Sequence, residues 1–182
     1  MNDDVPLRPF LRGLLMSLVA IVGLLVTLSP VAPGGGGIPM PDLVFAIACV
    51  WALRRPTGAP LLILFALGLM SDLLTGRPVG LGTLTLLIVT EILRGQTRTL
   101  RDLSLVVEWL VVALLLIASI IVQHLLLWIT LAPAPRLSDV LAAGAVTMIC
   151  YPAVVAVARY GLGLRYPRRR FIVTPLGTEA AQ

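Results

Sequence analysis

Apolar residues in this chain come in runs rather than in strict alternation. Six runs can be traced, at about 13–28, 38–53, 60–75, 79–93, 103–132 and 140–164. Continuous apolar stretches of this length predict helices rather than half-buried strands. The stretches between them are short and carry proline, glycine and arginine. Pro30–Pro41 contains Gly34, Gly35, Gly36 and Gly37 among prolines and predicts a loop. Asp42 suits the start of the second helix, where a carboxylate meets free N–H groups and the positive dipole end. Arg54-Arg55-Pro56 closes that run. Arg94 to Asp102 reads as a basic connector, and Pro133 to Asp139 as a turn. Ser138 or Asp139 is the expected cap of the last run, and Pro152 within it predicts a kink.

The first run is longer than the roughly 7–15 residues of a signal-peptide core, and proline follows it at Pro30. A retained anchor is expected, with a cleaved signal as the alternative. The third and fourth runs fall short of the ~20 residues that cross a typical hydrocarbon core. Either the bilayer thins there, or the pair is partly re-entrant and shielded by other helices.

Composition narrows the class. The chain has 182 residues, 58% of them hydrophobic, with a mean hydropathy of +1.00. Soluble domains hold roughly 45–50% apolar residues. An all-α polytopic membrane protein is therefore expected, with a single helical membrane domain over 1–164 and a basic, polar tail over 165–182. All 14 basic residues are arginine, and the net charge is +5. The arginines sit at the ends of apolar runs, which favours membrane orientation over nucleic-acid binding. With six crossings, Arg8/Arg12, Arg54/Arg55, Arg94/Arg98/Arg101 and Arg159/Arg165/Arg168–Arg170 share one side. Only Arg77 and Arg136 fall on the other. The positive-inside rule then predicts an N-in, C-in protein. Arg168, Arg169 and Arg170 form a candidate contact for anionic lipid headgroups.

Two candidate packing features stand out. Gly13, Ser17, Ala20, Gly23 and Thr27 recur every three or four positions and would share a helix face that a neighbour can approach closely. Chance in an Ala/Gly-rich span is the alternative. The joint between the third and fourth runs holds Gly68, Asp72, Gly76, Arg77, Pro78, Gly80 and Gly82. Glycine permits tight turns and close helix approach, and Pro78 can open a helix but not continue one. A polar-tipped helical hairpin is expected. Asp72 would accept hydrogen bonds from the Thr75–Gly76 turn or pair with Arg77. The tip would offer a docking surface for a partner.

Reactive chemistry is scarce. His124 is the one histidine, and a hydrogen bond to another helix is its expected role. Glu91 can pair with Arg94 one turn on, and Glu108 can meet the arginines of the preceding connector. Cys49 and Cys150 lie inside apolar runs and suit buried structural thiols. No nucleophile–base order, metal-ligand spacing or phosphate loop is present, so no catalytic residue, metal or cofactor is expected.

Six apolar runs, Pro41-Asp42 opening the second, Arg55-Pro56 closing it, and Gly68-x-x-x-Asp72-x-x-x-Gly76-x-x-x-Gly80 together resemble the rod shape-determining protein family MreD. The resemblance implies a non-enzymatic protein of the bacterial inner membrane, in the machinery that builds the lateral cell wall. Its implied partner is MreC, and through it the MreB filament, the RodA glycosyltransferase and a class-B penicillin-binding transpeptidase. The fold implied is similar to the S component of energy-coupling-factor transporters. A scaffold that binds membrane proteins by helix packing is the leading expectation. A substrate-binding transporter subunit is the alternative. It would need convergent polar groups, and the spans offer mainly Ser17, Thr27, Thr83, Thr85, Thr90, Gln123, His124 and Thr147.

Overall fold

A computed structural model describes residues 7–28, 40–54, 61–100 and 104–161. Among these residues the chain is all helical: α1 (Leu7–Leu28), α2 (Leu43–Arg54), α3 (Leu61–Thr75), α4 (Leu81–Leu100), α5 (Leu105–Ile129) and α6 (Leu137–Ala156), closed by a π-helical turn at Val157–Gly161. The expected basic connector is shorter than its charges suggested. α4 continues through Arg94 to Leu100, because Arg, Gln and Thr at its end are compatible with a helix and Gly95 is tolerated within it. α6 begins at Leu137, with Arg136 at the capping position. Neither Ser138 nor Asp139 is therefore its cap; Asp139 lies in the first turn, where its charge suits the dipole. The tail with Arg168, Arg169 and Arg170 lies outside the described residues.

The bundle is organised around α2. Every residue from Val44 to Arg54 is buried, and α2 packs against α1, α3, α4 and α6. A helix apolar on all sides has no surface face to show and belongs inside. At 1.5 Å per residue it is about 18 Å long, less than the ~30 Å of a hydrocarbon core. Its neighbours shield it, so it need not reach both interfaces itself. On α1, Met16, Ala20, Gly23 and Leu24 are buried. A Cβ at Gly23 would meet Ile47 Cδ1 at 2.8 Å, so α1 and α2 approach closely there. Ser17 and Thr27 are half-buried, and the packing of Gly13 lies outside the described part.

The outer surface is as apolar as the core. Leu14, Leu62, Leu73, Val106, Leu114 and Ile121 are all exposed. α5, and α6 with its terminal turn, are each long and apolar enough to cross a membrane. Trp128, 77% exposed, stands at one end of this surface, and Tyr160, 81% exposed, at the other. Such rings favour membrane–water boundaries.

Pro152 lies within α6. Proline has no N–H, so the carbonyl four residues earlier, that of Met148, loses its helical donor. The Trp109 indole N–H of α5 donates to this carbonyl at 2.9 Å. In an apolar surround this repair matters, since a freed carbonyl finds no water. Trp109→Phe is expected to cost about 1–3 kcal/mol, read by thermal unfolding in detergent. In a Pro152→Ala background the new N–H reaches Met148, and the same substitution should cost less than half as much. Equal costs in both backgrounds would refute the repair.

Candidate functional site

Two layers of polar side chains interrupt the apolar bundle, one at each end of α2. The first is built on the α3–α4 hairpin. Gly76, at φ 67°, ends α3, and the Arg77 N–H returns to the Asp72 carbonyl at 3.1 Å. That is the left-handed helix stop which glycine makes without steric cost. Gly80, at φ 92°, precedes α4 and has no side chain with which to cap it. Asp72 supplies the cap from the neighbouring helix. Its Oδ2 accepts the Gly80 N–H at 3.1 Å, the Thr83 N–H at 3.0 Å and the Thr83 hydroxyl at 2.8 Å. The carboxylate thus sits on the open N–H groups and positive dipole end of α4. This is how a carboxylate only 2% exposed is held in an apolar protein.

The partners expected for Asp72 are therefore corrected. Neither the Thr75 nor the Gly76 N–H binds its side chain, and Arg77 turns elsewhere. Arg77 pairs with Asp42 at 2.9 Å. Asp42 in turn caps α2 by accepting the Phe45 N–H at 3.0 Å, as its position in the sequence implies. The Asp42 N–H donates to Thr147 Oγ1 of α6 at 2.8 Å. The chain of contacts joins the hairpin, α2 and α6. Two glycines make the hairpin tight. A Cβ at Gly68 would meet Thr83 Cα at 3.1 Å, and one at Gly82 would collide with Asp72 Oδ1. Gly68 and Asp72 face inward, so of the residues singled out at this joint the exposed ones are those of the tip, Gly76, Arg77 and Pro78.

Behind the tip lies a cavity of about 60 Å³, bordered by Asp42, Ser71, Asp72, Thr85, Gln123 and Thr147. Gln123 of α5 donates to Thr85 Oγ1 of α4 at 2.8 Å. Thr85, Gln123 and Thr147, scattered in sequence, converge here; Thr83 reaches it only through Asp72. Other polar residues do not join them. Thr90 and Thr97 bond back to carbonyls of their own helix, as buried threonines do. His124 Nδ1 lies 3.2 Å from the Ile120 carbonyl, also in its own helix, so the expected bond to another helix is corrected.

The second layer closes the other end of α2. Arg54 and Glu108 pair at 3.5 Å with both side chains 4% exposed, and the Tyr151 hydroxyl donates to Glu108 Oε1 at 2.9 Å. Glu108 thus meets Arg54, an arginine buried within the bundle; the side chains of Arg98 and Arg101, expected beside it, lie outside the described residues. Glu91 and Arg94 do pair, at 2.6 Å and near the surface. Sequence reasoning missed the second layer because its members are far apart in the chain. One signal was available: an ionisable residue well inside an apolar run requires a partner of opposite charge. Cys49 and Cys150 are free thiols.

The polar groups tie helices together at fixed points, with small gaps between them. Neither the comparison with curated proteins nor that with solved structures returns a match. A match to the family described as rod shape-determining protein MreD spans residues 7–160, which takes in all six helices and both polar layers. MreD proteins are cell-shape-determining membrane proteins and not a known enzyme family. The chain belongs to the MreD family.

Proposed function

We propose that this protein is a non-enzymatic, six-pass scaffold of the bacterial inner membrane. It is N-in and C-in, binds MreC, and supports lateral peptidoglycan synthesis and rod shape. Through MreC it stands beside RodA, its class-B penicillin-binding transpeptidase and the MreB filament. One domain, 1–164, carries the scaffold, and the basic tail 165–182 meets anionic lipid on the cytoplasmic side. The exposed hairpin tip at Gly76–Val79 is the proposed contact on the far side, locked to α2 by Arg77 and Asp42.

The observation that carries this reading over a transporter subunit is the size of the polar cavity. Small-molecule sites occupy roughly 300–1,000 Å³, and the cavity among the polar groups measures about 60 Å³. That is room for a few waters, not for a vitamin. Larger hollows, of about 370 and 670 Å³, are walled almost wholly by apolar side chains, which cannot orient a polar substrate. The resemblance to transporter S components is thus proposed for the helical fold, not for ligand capture.

The test is cross-linking in native membranes followed by purification in mild detergent, alongside depletion with imaging. MreC is expected in the cross-linked product, and depleted cells are expected to round up without a nutrient requirement. Absence of MreC together with unchanged shape would defeat the scaffold reading. Stoichiometric binding of a water-soluble vitamin would establish the transporter reading instead.

A further inference from the structure

The polar cavity behind the hairpin tip is walled by oxygen atoms whose hydrogen-bonding capacity is left over. Asp72 binds the start of α4 through Oδ2 alone, and its Oδ1 has no hydrogen-bond partner among the described residues. Ser71, the residue before it, is only 8% exposed and lines the same cavity. Its hydroxyl also lacks a partner among the described residues. Gln123 directs its amide N–H to Thr85 Oγ1 at 2.8 Å, which leaves its carbonyl oxygen without one there. The hydroxyls of Thr85 and Thr147 donate back to Gly82 and Ala143 of their own helices. Both can offer the cavity only lone pairs. Three charged residues border it: Asp42, Asp72 and Arg77. Arg77 pairs with Asp42 at 2.9 Å, and its side chain is 42% exposed, so it stands at the rim. Asp72 has no ion pair among the described residues. The α4 dipole end supplies roughly half a positive charge, and the wall remains negative.

We propose that this cavity binds one monovalent cation of the size of sodium, with Asp72 Oδ1, Ser71 Oγ and the Gln123 carbonyl oxygen among its ligands. Carboxylate, hydroxyl and amide oxygens are the ligands that hard cations take. The charges set the valence. With Asp42 and Arg77 balancing each other, one carboxylate is left, and one positive charge neutralises it. A divalent ion would reverse the sign in an apolar surround, and an anion would face two carboxylates. Water could satisfy the acceptors but not the charge, and an ionised side chain inside a membrane protein needs an opposite one. The volume of about 60 Å³ suits an ion that keeps a water or two. Ser71 and Asp72 belong to α3 and Gln123 to α5, so the ion would fasten the hairpin to the rest of the bundle from inside. The site does not rest on the scaffold reading and would stand if that reading failed.

The test uses the full chain, purified in mild detergent, with sodium chloride exchanged for choline chloride at constant ionic strength. Choline is too large for the cavity and serves as the inert cation. Above the dissociation constant, each tenfold rise in sodium should raise the melting temperature by roughly 3–6 °C. Radioactive sodium should bind at one ion per chain. Ser71→Ala removes one ligand and no hydrogen bond within the described residues. It should melt with the wild type in choline, yet bind sodium about tenfold more weakly, the worth of one contact to a charged group. A merely structural serine would shift both salts alike. Asp72→Asn keeps an oxygen for the Gly80 and Thr83 donors but loses the charge, and its sodium response should vanish. Should that variant fail to fold, Ser71→Ala decides alone. Equal melting temperatures of the wild type in sodium and choline would overturn the proposal. So would a sodium response undiminished in Ser71→Ala, or stabilisation by calcium at concentrations where sodium has no effect.

Discussion

Arg54→Ala is expected to destabilise this protein by about 3–5 kcal/mol, the cost of leaving one member of a buried ion pair alone. Arg54 and Glu108 are each 4% exposed in side chain, and the Tyr151 hydroxyl is directed to the same carboxylate oxygen. Without Arg54, the Glu108 charge loses the guanidinium that is paired with it in an apolar interior. For a chain of this size the loss corresponds to a fall in melting temperature of roughly 6–20 °C, measurable in detergent by intrinsic fluorescence. The partnership itself is tested by removing all three polar groups at once. Arg54→Met, Glu108→Leu and Tyr151→Phe together should recover most of the loss, because apolar residues of similar volume avoid the desolvation that the pair must offset. A single Arg54→Ala variant as stable as the wild type would mean that the layer carries little energy.

Gly82→Ala is the second large effect, at about 3 kcal/mol or more. The added methyl group would occupy the place of Asp72 Oδ1. The carboxylate must then leave the Gly80 and Thr83 donors. Hydrogen bonds to a charged group contribute about 1.5–3 kcal/mol each, and these three share one oxygen, so they do not add in full. Asp72→Ala should cost a similar amount by losing the same bonds directly. The double variant discriminates. With Asp72 already truncated, alanine at position 82 meets open space, and Gly82→Ala should add little. A coupling energy near zero in this cycle would show that the cost of Gly82→Ala does not come from the carboxylate.

How much of this was legible in the sequence depends on how far apart the partners are. Asp42 was recognisable as a cap because its acceptor oxygen serves an N–H three residues on. Glu91 and Arg94 were recognisable because one helical turn separates them. The hairpin was recognisable because Gly76 and Gly80 are needed where the backbone takes positive φ. In each case the physics acts within about a turn of helix. Asp72 and His124 were each given a wrong partner, and Arg54 opposite Glu108 was not foreseen. For Asp72 the nearest turn or opposite charge in sequence looked sufficient, but the carboxylate found its partners across a helix interface. For His124 the error ran the other way: it bonds within its own helix, and Gln123 beside it reaches α4.

The order of apolar runs, the bias of arginine and the glycine spacing determined by themselves that this is a helical membrane protein with a tight hairpin, since periodicity and transfer from water act residue by residue. Tertiary structure alone decided that α2 is the buried axis, that Asp72 caps α4, that Arg54 faces Glu108, and that the cavity among the polar groups measures about 60 Å³. Those outcomes depend on which helix lies beside which. In an apolar interior a polar group must bond to whatever the packing brings within about 3 Å, and spacing along the chain does not contain that neighbour.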